Sequence, residues 1–306
     1  MDVRQLEYIV HLADRQVLAR VAEELYVSPS ALSQYVAKLE NELGTPLFKR
    51  IKGAWPLTNA GRVYVETARE ILKRYHQMKK DINDIIDCTS GEITVGISSN
   101  KASRMFTHIF PQFKGTYPNI TVKLTDGHTK DLFSQVEKGL LDIVFSTSGI
   151  ETSALIYRPL LHERFVLTVP KTHHLAYLAN PSEDKLATID LNLFCNDYFM
   201  LANPSMTIRI ITDNMFTKAG FLPKILLECN SAPTLYTLSE SGYGVSIIPM
   251  GNMNPSSASV YFLTNPLGEW DNIVAYAQGS RLSKAEEYFI ELAQEYYATH
   301  FTHINI

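Results

Sequence analysis

The chain has 306 residues, 45% of them hydrophobic and 20% charged, with a formal net charge of −4, an ordinary composition for a globular protein of two or more domains. No apolar run reaches the roughly 18 residues that a membrane span needs, so no membrane partner is expected. The first residues are amphipathic and charged rather than basic and then apolar, and a cytoplasmic protein is expected.

The charge is unevenly divided. Residues 1–91 carry 13 Lys and Arg against 12 Asp and Glu, net +1, while the remainder carries 15 against 20, net −5. Residues 43–65 hold no acid but include Lys49, Arg50, Lys52 and Arg62. A local basic patch of this kind governs phosphate binding more than the total charge does.

In chain order, Leu6, Ile9, Val10 and Ala13 recur at helical spacing and predict a first helix over about residues 2–15. A second helix over about Leu18–Leu25 is followed by a tight turn at Tyr26-Val27. Ser28 then suits an N-cap and Pro29 the first helical position, whose N–H would be unsatisfied in any case. In the third helix Leu32, Val36, Leu39 and Leu43 are expected to face inward. Ser30, Ser33, Gln34 and Lys38 are left outward, polar groups suited to a major groove. The pattern is a helix-turn-helix, and Thr45–Leu57, with two prolines, Gly53 and the basic cluster, reads as a wing meeting backbone phosphates.

Thr58 is expected to cap a long helix from Asn59 to Asp87, some 40 Å. Val65, Ala68, Leu72, Tyr75, Met78, Ile82 and Ile85 form a narrow apolar stripe of coiled-coil type. Because no further core-forming sequence accompanies it, dimerisation is preferred over packing on its own domain, which would set two recognition helices one or more DNA turns apart.

From Glu92 strands and helices alternate. Strand Ile93–Ile97, helix Arg104–Tyr117, strand Ile120–Leu124, helix Lys130–Lys138 and strand Leu141–Phe145 predict a βαβαβ unit with a parallel sheet. Strands Tyr157–Leu161 and Phe165–Val169 precede Tyr198–Leu201, helix Thr207–Lys218, strand Ile225–Glu228, helix Thr234–Ser241, and strands Val245–Ile248 and Val260–Leu263. Strand Ile273–Gln278 and helix Lys284–Thr299 end the pattern. Two α/β lobes with a ligand cleft between them are expected.

Enzyme signatures are weak. Gly242-Tyr243-Gly244-Val245-Ser246 lacks the third glycine of a nucleotide loop, with Ile247 in its place. His173-His174 has no ligand at useful spacing, and GxSxG, GxxxxGK and HExxH are absent. The three cysteines, Cys88, Cys195 and Cys229, are far apart, without a CxxC; they are expected to be buried thiols rather than a disulfide or a metal site. A solute-binding protein without a regulatory role would explain residues 92–306 but not the first ninety.

Several segments together resemble one family. Met1-Asp2-Val3-Arg4-Gln5-Leu6-Glu7-Tyr8, Val21-Ala22-Glu23-Glu24-Leu25, Val27-Ser28, Ala31-Leu32-Ser33, the run Leu39-Glu40-Asn41-Glu42-Leu43-Gly44-Thr45-Pro46-Leu47-Phe48-Lys49-Arg50, and Leu57-Thr58-Asn59-Ala60-Gly61 stand in the order of the LysR-type transcriptional regulators. Tyr117-Pro118-Asn119-Ile120, Leu141-Asp142-Ile143-Val144 and Gly242 to Pro249 extend the likeness more weakly. The resemblance implies an α/β multidomain chain. An all-α winged helix-turn-helix (1–58) and a linker dimerisation helix (59–88) precede a two-lobed effector domain of periplasmic-binding-protein type (89–306). Lobe I covers about 92–161 and 268–306, and lobe II about 162–267.

It also implies double-stranded promoter DNA, a small-molecule effector, RNA polymerase and further copies of the chain, as a dimer of dimers, as partners. No enzymatic activity, cofactor or metal is implied. The implied DNA-facing set is Arg20, Ser28, Pro29, Ser30, Ser33, Gln34 and Lys38, with Lys49, Arg50 and Lys52 on the wing; Gln34 suits bidentate pairing with adenine. Pro29 stands where the family commonly has Gln, and Val17-Leu18 where it commonly has Ser-Phe. The implied effector set is Ser98, Ser99, Asn100 and Lys101, then His128 and Thr129, then Ser146, Thr147 and Ser148, and finally Ala202, Asn203, Pro204 and Ser205. Hydroxyls and helix-terminal N–H groups there suit a carboxylate or another small anion. Met206, where the family often has Gly, is expected to narrow the cleft.

Overall fold

The computed structural model describes residues 3–51, 53–85, 90–98, 100–180, 186–254 and 256–301, with the side chains of 83–85, 100 and 101 left out. Lys52, Ser99, Cys88 and the side chains of Ile85, Asn100 and Lys101 therefore lie outside the described residues, as does the expected helix end at Asp87. Two compact units divide the chain, residues 1–88 and 89–306.

The first unit opens with α1 (Val3–Arg15), α2 (Leu18–Glu24) and α3 (Pro29–Leu43). Leu6, Ile9, Val10 and Leu12 of α1 are buried with Val21 and Ala22 of α2 and Leu32 and Val36 of α3. Leu39 packs at the margin of that core. Leu43 is exposed rather than inward-facing, because α3 ends beside it at Gly44, in the left-handed conformation (φ 68°) that turns the chain away.

The wing follows as a small antiparallel hairpin with bridges Phe48–Leu57 and Ile51–Ala54. Its base is tied to α3, since the Glu40 carboxylate accepts N–H bonds from Leu47 at 2.7 Å and Phe48 at 3.0 Å. Thr58 accepts the Gly61 N–H at 2.9 Å, capping α4 (Asn59–Ile85), and donates to the Pro46 carbonyl at 2.7 Å. Val65, Ala68 and Leu72 of α4 are buried in the core that contains α1, and Arg69 pairs with Asp14 at 2.7 Å. The first half of the long helix thus packs on its own unit, contrary to the expectation that no core accompanies it. Farther along, Met78 and Ile82 of the expected stripe are exposed.

The second unit begins with β1 (Ser90–Ile97), α5 (Asn100–Thr116), β2 (Asn119–Asp126), α6 (Thr129–Glu137) and β3 (Ile143–Thr147). It continues with β4 (Leu155–Pro170), β5 (Thr188–Asp190), β6 (Tyr198–Ala202), α7 (Thr207–Ala219), β7 (Lys224–Cys229) and α8 (Ala232–Glu240). The chain then forms β8 (Val245–Pro249), β9 (Ser259–Asn265), β10 (Glu269–Ala277) and α9 (Lys284–His300). Strand order is β2-β1-β3-β10-β4-β8-β6-β7, with β9 beside β4 and β5 beside β9.

The first three strands pair in parallel, but β10 enters antiparallel between β3 and β4, so the sheet is mixed rather than purely parallel. The short β5 had no counterpart among the expected elements. The two strands expected over Tyr157–Leu161 and Phe165–Val169 are one continuous strand. Its first part pairs with β10 and its second with β8 and β9.

Each lobe has its own core. In the first, Ala102, Met105, Ile109 and Phe113 line one face of α5 and meet Phe289 and Tyr297 of α9 across the sheet residues Val95, Ile143 and Val274. A capping box of Ser283 and Glu286 starts α9. In the second lobe Phe165, Leu167, Phe199, Phe216, Leu235 and Phe262 are fully enclosed.

Gly61 sits where a methyl group would overlap the Leu47 carbonyl oxygen. Gly61→Ala is therefore expected to destabilise the first unit by about 1–3 kcal/mol, the usual range for overpacking. Calorimetry of the full chain should show a lowered first-unit transition with the second unchanged.

Candidate DNA surface and ligand cleft

On the first unit the structure places the described DNA-facing residues on α2, on α3 with its cap, and on the wing. Ser28 accepts the Ala31 N–H at 3.1 Å and shares a hydrogen bond of 3.0 Å with Ser30, so it is primarily the cap of α3. Pro29 occupies the first helical position. Ser30, Gln34 and Lys38 are exposed and Ser33 half-buried. Arg20 is exposed on α2 and pairs with Glu24 at 3.4 Å; Arg15 reaches the same carboxylate at 3.2 Å.

Lys49 and Arg50 are exposed on the wing. The Arg50 guanidinium lies 4.7 Å from the centre of the Trp55 ring, and the backbone N–H of the buried Trp55 donates to the Gln16 carbonyl at 2.8 Å. This cation–π platform holds Arg50 in place. Sequence reasoning missed Trp55 and Glu40, because each acts on the wing through a turn of the chain whose geometry no local spacing announces.

In the second unit a cleft of about 530 Å³ lies at the ends of β1, β2 and β3 and of the facing helices. Of the expected effector set it is lined by Ser98, His128, Thr129, Thr147 and Ser205, together with Met206. Ser146 lies behind this surface, buried, sharing a 2.6 Å hydrogen bond with Ser98 and donating to Thr129 at 3.0 Å. Ser148 is turned away, its hydroxyl accepting the Asp271 N–H at 2.8 Å. Ala202 is buried, and the Asn203 side chain folds over its own loop to accept from Ser205 N–H at 3.1 Å. Pro204 follows that loop outward. Ser146, Ser148, Ala202, Asn203 and Pro204 of the expected set thus do not line the cleft, since an Asx turn and strand packing use the groups that were assigned to a ligand.

The helix starts around the cleft differ in their capping. At α8 the Ser231 side chain takes the Thr234 N–H at 3.3 Å, whereas α6 and α7 begin behind His128 and Met206 without any side-chain cap. Their first N–H groups remain available to an anion. Thr129 and Thr207 open these two helices, and their hydroxyls lie 3.4 Å apart.

The opposite wall brings Tyr236, Asn252, Trp270 and Asn272 into the cleft, residues from three distant segments. Trp270 Nε1–H and Asn272 Nδ2–H donate to the buried Glu163 carboxylate at 2.9 and 3.1 Å, and Gly251 N–H donates to it at 2.7 Å. Burial, and secondarily the Glu163 charge, pushes the Tyr236 phenol well above its ordinary range, so it remains a proton donor. Cys195 and Cys229 are half-buried free thiols rather than fully buried ones, and neither lines the cleft. Among the described residues no cluster of three or more metal-ligating side chains occurs, and no helix is long and apolar enough to cross a membrane.

Two family models match the chain. Residues 3–62 match the bacterial regulatory helix-turn-helix protein of the lysR family, and residues 88–298 the LysR substrate binding domain. The chain belongs to the LysR family. Its relatives are transcriptional regulators rather than enzymes. They include the HTH-type transcriptional regulator YybE of Bacillus subtilis, 27% identical over 99% of this chain and 100% of that protein. The DNA-binding transcriptional dual regulator OxyR of Escherichia coli is 26% identical over 81% of this chain and 79% of its own length. A full-length OxyR variant from Pseudomonas aeruginosa shares the fold with a TM-score of 0.67 at 24% identity, covering 96% of this chain and 94% of that one.

Replacing both Lys49 and Arg50 with Ala is expected to weaken binding to all DNA sequences alike. For every phosphate that is no longer neutralised, the slope of log K against log salt should fall by about 1. Fluorescence anisotropy at several salt concentrations measures both effects.

Proposed function

We propose that this LysR-type regulator binds double-stranded promoter DNA through α3 and the wing, and a small anionic effector, best a carboxylate, in the cleft of its second unit. The observation that carries the effector reading is the pair of uncapped helix starts, at α6 and α7, facing one cleft. Their N–H groups, with the Thr129 and Thr207 hydroxyls, suit the oxygens of a carboxylate. Tyr236 and Trp270 supply apolar surface for the rest of the molecule, and the adjacent Met206 limits its size. No cofactor or metal enters this reading.

Effector binding favours one arrangement of the lobes, and through the assembly it alters the spacing or bend of the bound DNA. The assembly is a dimer of dimers. In support, Met78 and Ile82 on α4 and Ile225, Leu226 and Leu227 on the edge strand β7 are exposed apolar groups that a second copy would cover. The site of action is the cytoplasm, with RNA polymerase as the partner at the promoter.

Thermal shift of the full chain against a panel of small mono- and dicarboxylates tests the cleft. A ligand at about 100 times its Kd stabilises by roughly 2.7 kcal/mol, and Thr207→Trp, which fills the cleft, should abolish the shift. A shift that persists in Thr207→Trp would place the ligand elsewhere. For DNA, Gln34→Ala is expected to change the preferred base at one position by about 1–3 kcal/mol of discrimination. A uniform loss across operator variants would remove Gln34 from base reading.

A further inference from the structure

The turn between α2 and α3 contains an unexpected residue. Tyr26 follows the C-cap of α2, and its backbone has φ 56°, in the left-handed region. The geometry is that of a helix-ending turn, with Tyr26 N–H donating to the Glu23 carbonyl at 3.2 Å and Val27 N–H to the Ala22 carbonyl at 2.9 Å. Glycine is the residue such a position favours, and a bulky aromatic group there is strained. Among the described residues only Gln16 and Tyr26 adopt a positive φ without being glycine.

What the side chain does within the chain does not explain its presence. Tyr26 is 97% exposed, and among the described residues its side chain makes no hydrogen bond and no ring contact. The tyrosine therefore strains the turn while contributing no packing to the first unit. A strained residue that the fold does not use points to use outside the fold.

Its position supplies that use. Tyr26 stands two residues before Ser28, the cap of α3, and the exposed Pro29, Ser30 and Gln34 continue from it. In a docked helix-turn-helix the N-terminal residues of the second helix contact base edges in the major groove while the first helix crosses the backbone, so the turn that joins them lies between groove and sugar–phosphate backbone. A phenol suits that place, because its O–H donates to a phosphate oxygen and its ring covers the adjoining sugar.

We infer that Tyr26 is a DNA-contacting residue that meets the operator backbone beside the recognition helix, independently of base sequence. The inference rests on the assignment of α3 to the major groove. It differs from the roles of Lys49 and Arg50 in carrying no charge, so it contributes affinity without contributing to the salt slope.

The test uses full-length wild type, Tyr26→Gly and Tyr26→Phe. Anisotropy titrations are run on the duplex upstream of the protein's own gene and on a random-sequence duplex at low salt. Tyr26→Gly should bind both duplexes about tenfold more weakly, with an unchanged salt slope, while its first unit melts no lower than that of wild type. Tyr26→Phe, which keeps the ring and loses the hydroxyl, should fall between the two. Wild-type affinity in Tyr26→Gly would overturn the inference, as would a lowered first-unit melting temperature, which would make the side chain structural. Failure of wild type to bind either duplex would overturn the groove assignment itself and this inference with it.

Discussion

A single buried carboxylate organises the cleft. Glu163 lies on β4 where that strand leaves its pairing with β10 and begins its pairing with β8. A charge removed from water at such a place is costly unless donors surround it, and Trp270, Asn272 and Gly251 supply three. Two of these donors also line the cleft. The group that joins the strands at the crossing is therefore the same group that fixes the cleft wall.

The first unit is built on the same kind of economy. Glu40 at the end of α3 holds the wing by two backbone N–H groups, while Thr58 caps α4 and binds the wing's Pro46 carbonyl. Recognition helix, wing and linker helix are thereby one rigid piece. Rigid placement matters because phosphate contacts fix register only if the groups that make them keep their spacing. Arg50, flexible in isolation, is restrained on the Trp55 ring, and Trp55 is in turn fastened to the end of α1.

Much of this was legible in the sequence, and the failures have physical causes. Apolar spacing located α1 to α4, because their buried faces repeat within one helix. The strands expected over Tyr157–Leu161 and Phe165–Val169 leave out His162-Glu163-Arg164; the strand continues through them, and donors from β10 and the segment after β8 satisfy Glu163. Ser98, Thr129, Thr147 and Ser205 were found because strand ends and helix starts carry recognisable polar residues. Ser148 and Asn203 carry the same signal but spend it on backbone N–H groups, Ser148 on that of Asp271 in the adjoining strand β10 and Asn203 on that of Ser205 in its own loop. Tyr236 and Trp270 gave no local signal at all, since only the register of β10 beside β4 and the packing of α8 bring them to the cleft.

The central claim is that occupancy of the cleft changes how the protein holds DNA. DNase footprinting on the upstream duplex, with and without a carboxylate that stabilises the wild-type chain, tests it most directly when Thr207→Trp is run in parallel. The account predicts that the ligand alters the extent or hypersensitive positions of the wild-type footprint and leaves the Thr207→Trp footprint unchanged. A wild-type footprint identical with and without bound ligand would contradict it.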